Sequence, residues 1–324
     1  MTERSQGERP NVSTRRGFLA AGAGAAAALA CAGLPARARA ADKFRTFCSA
    51  NPLPVGNAPP ADRAMFEEFG FEPVALCDHG SLNRMGVFLT DDGRELTDAN
   101  QFRWERDVDR SDPAHAQHEW AVRNYARMCR DRANKHRPWL PGTLPMYFNL
   151  EVGKWSLDVM NDPQRDRKLD EIMGNWLKVV RWSKESTGGL CPVSAYMLPV
   201  AYQSDTAQEL ARELAYAMPS LYMIDEYLPN PNLWFDVVDQ TEAVLSRHYP
   251  WLPRVAVINP TWQVYRKPEA QAKWNGKPIG LPLWARQLRH LADRGWTGAL
   301  CWWGFTTFDA TTKQYIKEMD QMQR

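Results

Sequence analysis

Short apolar runs alternate with amphipathic helical patterns along most of the chain, and this alternation constrains the fold more than any other feature. The apolar runs predict buried strands at residues 44–48, 74–77, 144–150, 193–200, 221–224, 254–258 and 299–303. Helical patterns lie between them at residues 116–133, 167–184, 206–217, 234–248, 283–294 and 313–322. Strands and helices in strict alternation predict a parallel sheet covered by helices.

Seven predicted strands with room for an eighth favour an α/β fold of the (β/α) TIM-type barrel kind over an open doubly wound sheet. A doubly wound dinucleotide-binding sheet carries a G-x-G-x-x-G turn after its first strand, and none follows residues 44–48. No linker, repeat or low-complexity stretch interrupts the chain after residue 42. We therefore expect residues 41–324 to form one barrel domain.

The first 40 residues have the features of an export signal. Arg15 and Arg16 precede an apolar stretch rich in Ala and Gly, and Ala38-Arg39-Ala40 fits a cleavage site. This order is typical of a twin-arginine signal peptide, and the apolar stretch is too short to span a membrane. We expect export by the Tat translocase to the periplasm or beyond. Lipidation at Cys31 is an open alternative.

Charge and cysteine usage narrow the possible partners. Residues 1–40 hold six of the 40 basic and two of the 38 acidic residues, which leaves 34 basic and 36 acidic residues after cleavage. A net charge near −2 does not favour nucleic acid as a partner. The six cysteines include no C-x-x-C pair, so a zinc or iron–sulfur cage is not expected.

Polar and aromatic residues fall where the predicted strands end, which is where barrels of this kind place their active sites. The residues at or just beyond these ends are Glu151, Tyr202, Asp225, Glu226, Asn259 and Trp303. The chain also has 14 tryptophans, of which Trp155, Trp262 and Trp302 lie near strand ends as well. Flat aromatic faces stack on sugar rings, although large aromatics also pack between a barrel and its helices.

Several short segments occur in the order and spacing of one known enzyme family. They are FRTFCSANP at 44–52, GRELTDANQ at 93–101, FNLE at 148–151, AYMLPVAYQ at 195–203, PSLY at 219–222 and CWWG at 301–304. Together they resemble the hyaluronidase family of glycoside hydrolases. The resemblance implies a TIM-type barrel that cleaves a polysaccharide containing amino sugars, without a metal or cofactor.

The resemblance also implies roles for particular residues. Glu151 takes the place of the glutamic acid that protonates the glycosidic oxygen, while the acetamido group of the substrate attacks the anomeric carbon. This is an exception to the two-carboxylate scheme of most glycosidases. The residues implied or expected to line the sugar site are Trp155, Tyr202, Tyr222, Tyr227, Asn259 and Trp303.

Asn149 departs from the family pattern, which has an aspartate two residues before the catalytic glutamate. An amide can hydrogen-bond the acetamido group but supplies no negative charge, and a charge pair at about 4 Å is worth roughly 4 kcal/mol at an effective dielectric of about 20. Three alternatives follow: slower or altered catalysis, a different partner carboxylate at Asp225 or Glu226, or loss of catalysis. The second is favoured, although these two acids could instead cap the following helix.

Two other classes of function remain open at this stage. A non-catalytic glycan-binding barrel is one of them. An exported metal or cofactor protein is the other, because twin-arginine export carries many proteins folded around cofactors. Its only candidate ligands are Asp78, His79, His115 and His118, and no third strong ligand accompanies either pair.

Overall fold

Seven parallel strands form the centre of the computed structural model, which describes residues 44–49, 67–78, 116–127, 129–130, 144–149, 165–196, 204–264, 268–301 and 310–322. The strands are β1 (Arg45–Ser49), β2 (Glu72–Asp78), β3 (Met146–Asn149), β4 (Val193–Tyr196), β5 (Ala217–Met218), β6 (Val255–Ile258) and β7 (Gly298–Cys301). Their spatial order is β5-β4-β3-β2-β1-β7-β6, and all the ladders are parallel.

The two edge strands of this order meet and close the barrel. Parallel bridges join Ala217 to Arg254 and Ser220 to Val257. The backbone N–H of Ala217 donates to Pro253 O at 2.8 Å, and that of Leu221 donates to Val257 O at 2.8 Å. The predicted TIM-type barrel is therefore confirmed, with seven strands in the described part of the chain.

Helices follow the strands and cover the barrel. In the described residues they are α1 (Ala116–Arg127), α2 (Arg165–Thr187), α3 (Asp205–Glu213), α4 (Leu233–His248), α5 (Pro268–Trp274), α6 (Leu281–Asp293) and α7 (Ala310–Gln321). The six predicted helices are all present, and only the short α5 was not predicted. None of these described helices is both long and apolar enough to cross a membrane.

The fifth strand differs from the prediction. It is Ala217–Met218 rather than residues 221–224, and the helix expected to reach residue 217 ends at Glu213. Leu214 is extended, with φ −80° and ψ 147°, which stops the helix before the strand begins. Pro219 has no N–H to donate, so the ladder breaks directly after Met218. Residues 220–224 continue beside β6 through isolated bridges only.

Helix faces pack on the barrel as their residue spacing dictates. In α6 the buried residues are Trp284, Gln287, Leu288 and Leu291, the spacing of one helical face. The indole N–H of Trp234, at the start of α4, donates to Leu221 O at 2.8 Å and is fully buried. This bond fixes α4 against the segment that follows β5.

The N-terminal end of the barrel is filled by three polar side chains. Arg45 donates to Tyr216 through Nη1 and to both carboxylate oxygens of Glu72, with Nε 2.6 Å from Oε1. The hydrogen bond with Glu72 is the main reason that the pKa of Arg45 is raised above its usual value. The Phe47 ring lies 5.8 Å from the ring of Tyr216. Because β1 and β5 are not neighbours, the contacts of Arg45 and Phe47 with Tyr216 cross the barrel interior.

These contacts identify which strand positions face inward. Since alternate residues of a strand share a face, Arg45 and Phe47 mark the inward set of β1. Phe47 is in register with Leu300 of β7, and Leu300 is in register with Val257 of β6. Val257 therefore faces the interior, and Asn259 comes two residues later, where β6 ends.

Candidate functional site at the C-terminal end of the barrel

Asn259 is a buried polar residue at the C-terminal end of the barrel. Its side chain is only 1% exposed, directly after β6. Its Oδ1 accepts from the backbone N–H of Thr261 at 3.4 Å and from the Thr261 hydroxyl at 3.1 Å. Its Nδ2 is buried and has no hydrogen-bond partner within the part of the chain that the structure describes. A buried amide normally finds partners for its N–H groups, so this position is suited to an incoming acceptor.

The orientation of the Asn259 amide is set by its neighbours. The backbone N–H of Thr261 can only donate, so the atom facing it must be the oxygen. The side-chain amide of Gln263 donates to Thr261 Oγ1 at 3.4 Å, which extends the chain of contacts by one more residue. Consequently both N–H groups of Asn259 face away from Thr261.

The segment that carries these residues is held on both sides. Gln263 N donates to Met223 O at 2.7 Å on one side. On the other side Trp262 N donates to Lys277 O at 2.9 Å, and Ile279 N donates to Pro260 O at 2.9 Å. Backbone that is hydrogen-bonded on both sides keeps the polar side chains it carries in fixed positions, as a binding site requires.

Trp262 is part of this frame rather than an open sugar platform. Its side chain is 5% exposed, and its ring centroid lies 6.0 Å from that of Trp274. Trp274 is 36% exposed and sits at the end of α5, with the ammonium of Lys273 5.4 Å from its ring. Trp262 is therefore a packing residue, not a surface on which a sugar ring stacks.

Tyr222 lies on the side of the chain that faces the barrel. The next residue, Met223, is 1% exposed and accepts a hydrogen bond through its sulfur from Gln287 of α6 at 3.0 Å. Met223 therefore points into the helix layer, and in extended backbone its neighbours point the opposite way. Tyr222 is partly buried against the core. The bridges from Ser220 to Val257 and from Ile224 to Gln263 keep this segment beside Asn259 and its neighbours.

Asp225, Glu226 and Tyr227 form a short 3-10 turn after this segment. Asp225 and Glu226 are both half-buried, and Oε2 of Glu226 is a buried atom. Tyr227 is 4% exposed, and burial raises its pKa to about 12. Helix α4 starts later, at Leu233, with Asn232 as its N-cap residue, so the two acids do not cap that helix.

The other predicted site residues are either the last of a described range or outside the residues that the structure describes. Asn149 is the last residue of β3, where its backbone is in register with Asp78 of β2. The remaining predicted residues, which lie outside the described residues, are Glu151, Trp155, Tyr202 and Trp303. The structure thus places Tyr222 and the turn at 225–227 after β5 and Asn259 after β6, the two strands that close the barrel.

Sequence reasoning overlooked Thr261 and Gln263. Their signal is nevertheless in the sequence, because Asn259, Thr261 and Gln263 are polar residues at alternate positions directly after an apolar strand. Alternation of this kind places three polar side chains on one face of an extended segment.

A metal site receives no support from the described residues, which contain no group of three or more His, Cys, Asp or Glu able to hold an ion. His79 and His115 lie outside the described residues.

No family model matches the chain, and no curated protein is similar to it in sequence. Among solved structures it is similar to the glycoside hydrolase domain of PgaB (BpsB) from Bordetella bronchiseptica, with 11% identity, 77% of this chain and 76% of that chain covered, and a TM-score of 0.42.

Bee venom hyaluronidase is similar at 10% identity, with coverage of 87% and 100% and a TM-score of 0.46. Cel5A from Thermotoga maritima is similar at 11% identity, with coverage of 87% and 98% and a TM-score of 0.39. These structures are glycoside hydrolases. At such low identity and TM-score they assign neither an activity nor a substrate to this chain.

Proposed function

We propose that the chain is a hyaluronidase-like glycoside hydrolase that cleaves an amino-sugar-containing polysaccharide, with Glu151 as its general acid. The observation that carries this proposal is the buried amide of Asn259, whose N–H groups have no partner among the described residues at the end of the barrel where active sites gather. Sugars offer many acceptor oxygens, and Tyr222 adds an aromatic ring on the same side of the barrel.

In the proposed reaction Glu151 protonates the glycosidic oxygen as the bond to the leaving sugar breaks. The acetamido oxygen of the substrate attacks the anomeric carbon and forms a cyclic oxazolinium. Water then opens this ring at the anomeric carbon, and the Glu151 carboxylate takes back a proton from that water. Asn149, two residues before Glu151, accepts the acetamido N–H but supplies no charge. A missing charge partner slows this route, because each 1.36 kcal/mol in the barrier is a factor of ten in rate.

Asp225 or Glu226 is the second carboxylate that we favour. Both are half-buried in the short turn after β5, and one oxygen of Glu226 is buried. A second carboxylate near Glu151 would allow the ordinary scheme of one acid and one base or nucleophile. On this route substrates without an acetamido group are also cleaved.

The test is product release from a panel of hyaluronan, chondroitin, chitin, peptidoglycan and neutral polysaccharides. Wild type, Glu151→Gln, Glu226→Gln and Asn149→Asp are compared on each. We expect loss of activity in Glu151→Gln and a gain in Asn149→Asp on acetamido sugars. A loss in Glu226→Gln on every substrate would support the two-carboxylate route. Activity that survives Glu151→Gln unchanged removes Glu151 from its role.

A non-catalytic glycan-binding barrel is the second candidate, and Asn149 is the observation that favours it. In that case glycans bind wild type and Glu151→Gln with equal affinity, and no product forms at any pH. Binding without hydrolysis across the whole panel would therefore replace the first proposal with this one.

We further propose that residues 1–40 direct the folded protein through the Tat translocase to the periplasm or outside the cell. Paired lysines in place of Arg15 and Arg16 should retain the protein in the cytoplasm, as followed by fractionation and immunoblotting. Export that is insensitive to this double substitution would contradict the proposal.

A further inference from the structure

Three alternate residues after β6 form a single line of hydrogen bonds. Gln263 Nε2 donates to Thr261 Oγ1 at 3.4 Å, and Thr261 Oγ1 donates to Asn259 Oδ1 at 3.1 Å. The backbone N–H of Thr261 occupies the other acceptor position of the same oxygen at 3.4 Å. The Asn259 side chain therefore has its oxygen in use and offers only N–H groups.

We propose that Thr261 and Gln263 are positioning residues that hold the Asn259 amide as a donor-only site for a carbonyl-type oxygen of the bound sugar. This inference rests on the proposed function, since it assumes that a glycan occupies the C-terminal end of the barrel. Neither Thr261 nor Gln263 touches the substrate in this arrangement. Their effect is transmitted through the orientation of Asn259.

Because the Asn259 amide offers only N–H donors, it favours ligands whose oxygens accept hydrogen bonds without donating. A hydroxyl oxygen can accept from Asn259, but its own hydrogen then needs an acceptor, and Oδ1 of Asn259 is already in use. The oxygens of an acetamido carbonyl or of a uronate carboxylate accept without donating. The burial of Asn259 strengthens this preference, because water does not readily replace a missing partner at a site that is 1% exposed.

The rigid setting of the segment makes the preference specific. Backbone hydrogen bonds hold Trp262 and Gln263 on opposite sides, and the two bonds to Oδ1 hold the Asn259 amide. Replacing the Thr261 hydroxyl by a methyl group removes the side-chain restraint while leaving volume and backbone pairing in place. A serine at the same position retains the hydroxyl.

The experiment measures oligosaccharide affinity by tryptophan fluorescence and calorimetry in a Glu151→Gln background, where turnover is removed. The ligands are an N-acetylglucosamine tetramer, a hyaluronan tetramer and cellotetraose, which bears hydroxyls only. Asn259→Asp, Thr261→Val and Thr261→Ser are each added to this background, and the midpoint of thermal unfolding is recorded for every variant.

We expect Asn259→Asp to weaken the two carbonyl-bearing ligands by about 10-fold or more, with the larger loss for the anionic hyaluronan tetramer. Thr261→Val should weaken them by about 3- to 10-fold, and Thr261→Ser should stay within about 2-fold of the parent. In the wild-type background Thr261→Val should raise KM while kcat stays nearly constant.

Unchanged affinity in Asn259→Asp and Thr261→Val would overturn the inference, as would equal losses for cellotetraose. Absence of binding by all three ligands would overturn it too. The two proposals fail differently. Hydrolysis by wild type with unaffected variants removes only this inference, whereas binding that depends on Asn259 without any hydrolysis removes only the proposed glycosidase activity.

Discussion

Polar groups at the two ends of the barrel are bonded in opposite ways. At the N-terminal end Arg45 donates to Glu72 of the neighbouring strand and to Tyr216 across the interior. At the C-terminal end Asn259 is buried more deeply than Arg45, and its N–H groups find no partner among the described residues. The cluster at the N-terminal end is bonded within itself, whereas the Asn259 amide at the C-terminal end keeps N–H donors suited to a ligand acceptor.

The difference separates stability from function within one fold. Satisfied polar groups lower the free energy of the folded chain, whereas a buried donor without a partner raises it and is retained where function requires it. Substitutions at the N-terminal end should therefore change the free energy of unfolding and leave kcat alone. Substitutions at the C-terminal end should do the reverse.

The largest expected effect is at the C-terminal end. Glu151→Gln should lower kcat by about 10³-fold, because an amide has no proton to give to the leaving oxygen. The measurement is reducing-end release at saturating substrate. The midpoint of thermal unfolding should stay close to that of wild type. A variant that lost stability as well as activity would contradict the division of roles between the two ends.

Gly298→Ala should cause the largest loss of stability at the N-terminal end, about 2 to 3 kcal/mol in the free energy of unfolding. A Cβ at residue 298 would overlap the carbonyl oxygen of Arg45 and lie 2.9 Å from its carbonyl carbon, and backbone cannot move aside easily. Urea unfolding measures the effect.

Gly174→Ala is the matched control for this substitution. Gly174 lies inside α2, and the nearest atom to an added Cβ is Thr206 Cγ2 at 3.9 Å. The control should stabilise the protein by about 0.5 to 1 kcal/mol. Destabilisation by both substitutions would mean that the strand contact is not the cause.

Arg45→Met should cost about 1 kcal/mol of unfolding free energy, because it leaves Glu72 and Tyr216 without their shared partner. This loss of unfolding free energy is modest because the Arg45 side chain is 35% exposed, and water replaces part of the lost hydrogen bonding. Activity per folded molecule should equal that of wild type. A fall in kcat at constant stability would contradict the division between the two ends.

The sequence predicted the barrel well and the site only in part. Strands such as β6 are continuous apolar runs, and buried parallel strands need no other signal. The fifth strand was misplaced because its two residues, Ala217 and Met218, lie between a helix and Pro219 and are too few to form a pattern. Their pairing with β6 is a long-range property that local periodicity does not contain.

Prediction of the site is limited in the same way, because its long-range contacts are not contained in local sequence patterns. Asn259 was predicted from its place after an apolar run, and the structure puts it at the C-terminal end of β6. The support from Thr261 and Gln263 depends on side-chain contacts that no spacing rule specifies. Trp262 was expected among the sugar platforms, yet it is buried and packs on Trp274, from a helix that was not predicted.

The smallest effect expected is a pH dependence of stability outside the barrel. The hydrogen bond from Lys184 at 2.7 Å is the main reason that the pKa of Glu213 is lowered. A lowered pKa contributes stability above the unfolded pKa of 4.5, and that contribution is lost as pH falls through the folded pKa. Lys184→Met should therefore cost about 0.5 kcal/mol at pH 7.

The cost of Lys184→Met should disappear in strong acid. Urea unfolding at pH 7 and near pH 2 compares the variant with wild type at both values. A difference that is the same at both pH values would show that the contribution comes from packing of the lysine stem.

The decisive measurement is a crystal structure of Glu151→Gln with a bound amino-sugar oligosaccharide. If the C-terminal end of the barrel is the glycan site, the sugar will lie at the carboxyl ends of the strands, with a carbonyl-type oxygen about 3 Å from Asn259 Nδ2. A sugar bound on the outer helices, or one that leaves Asn259 untouched, would contradict it.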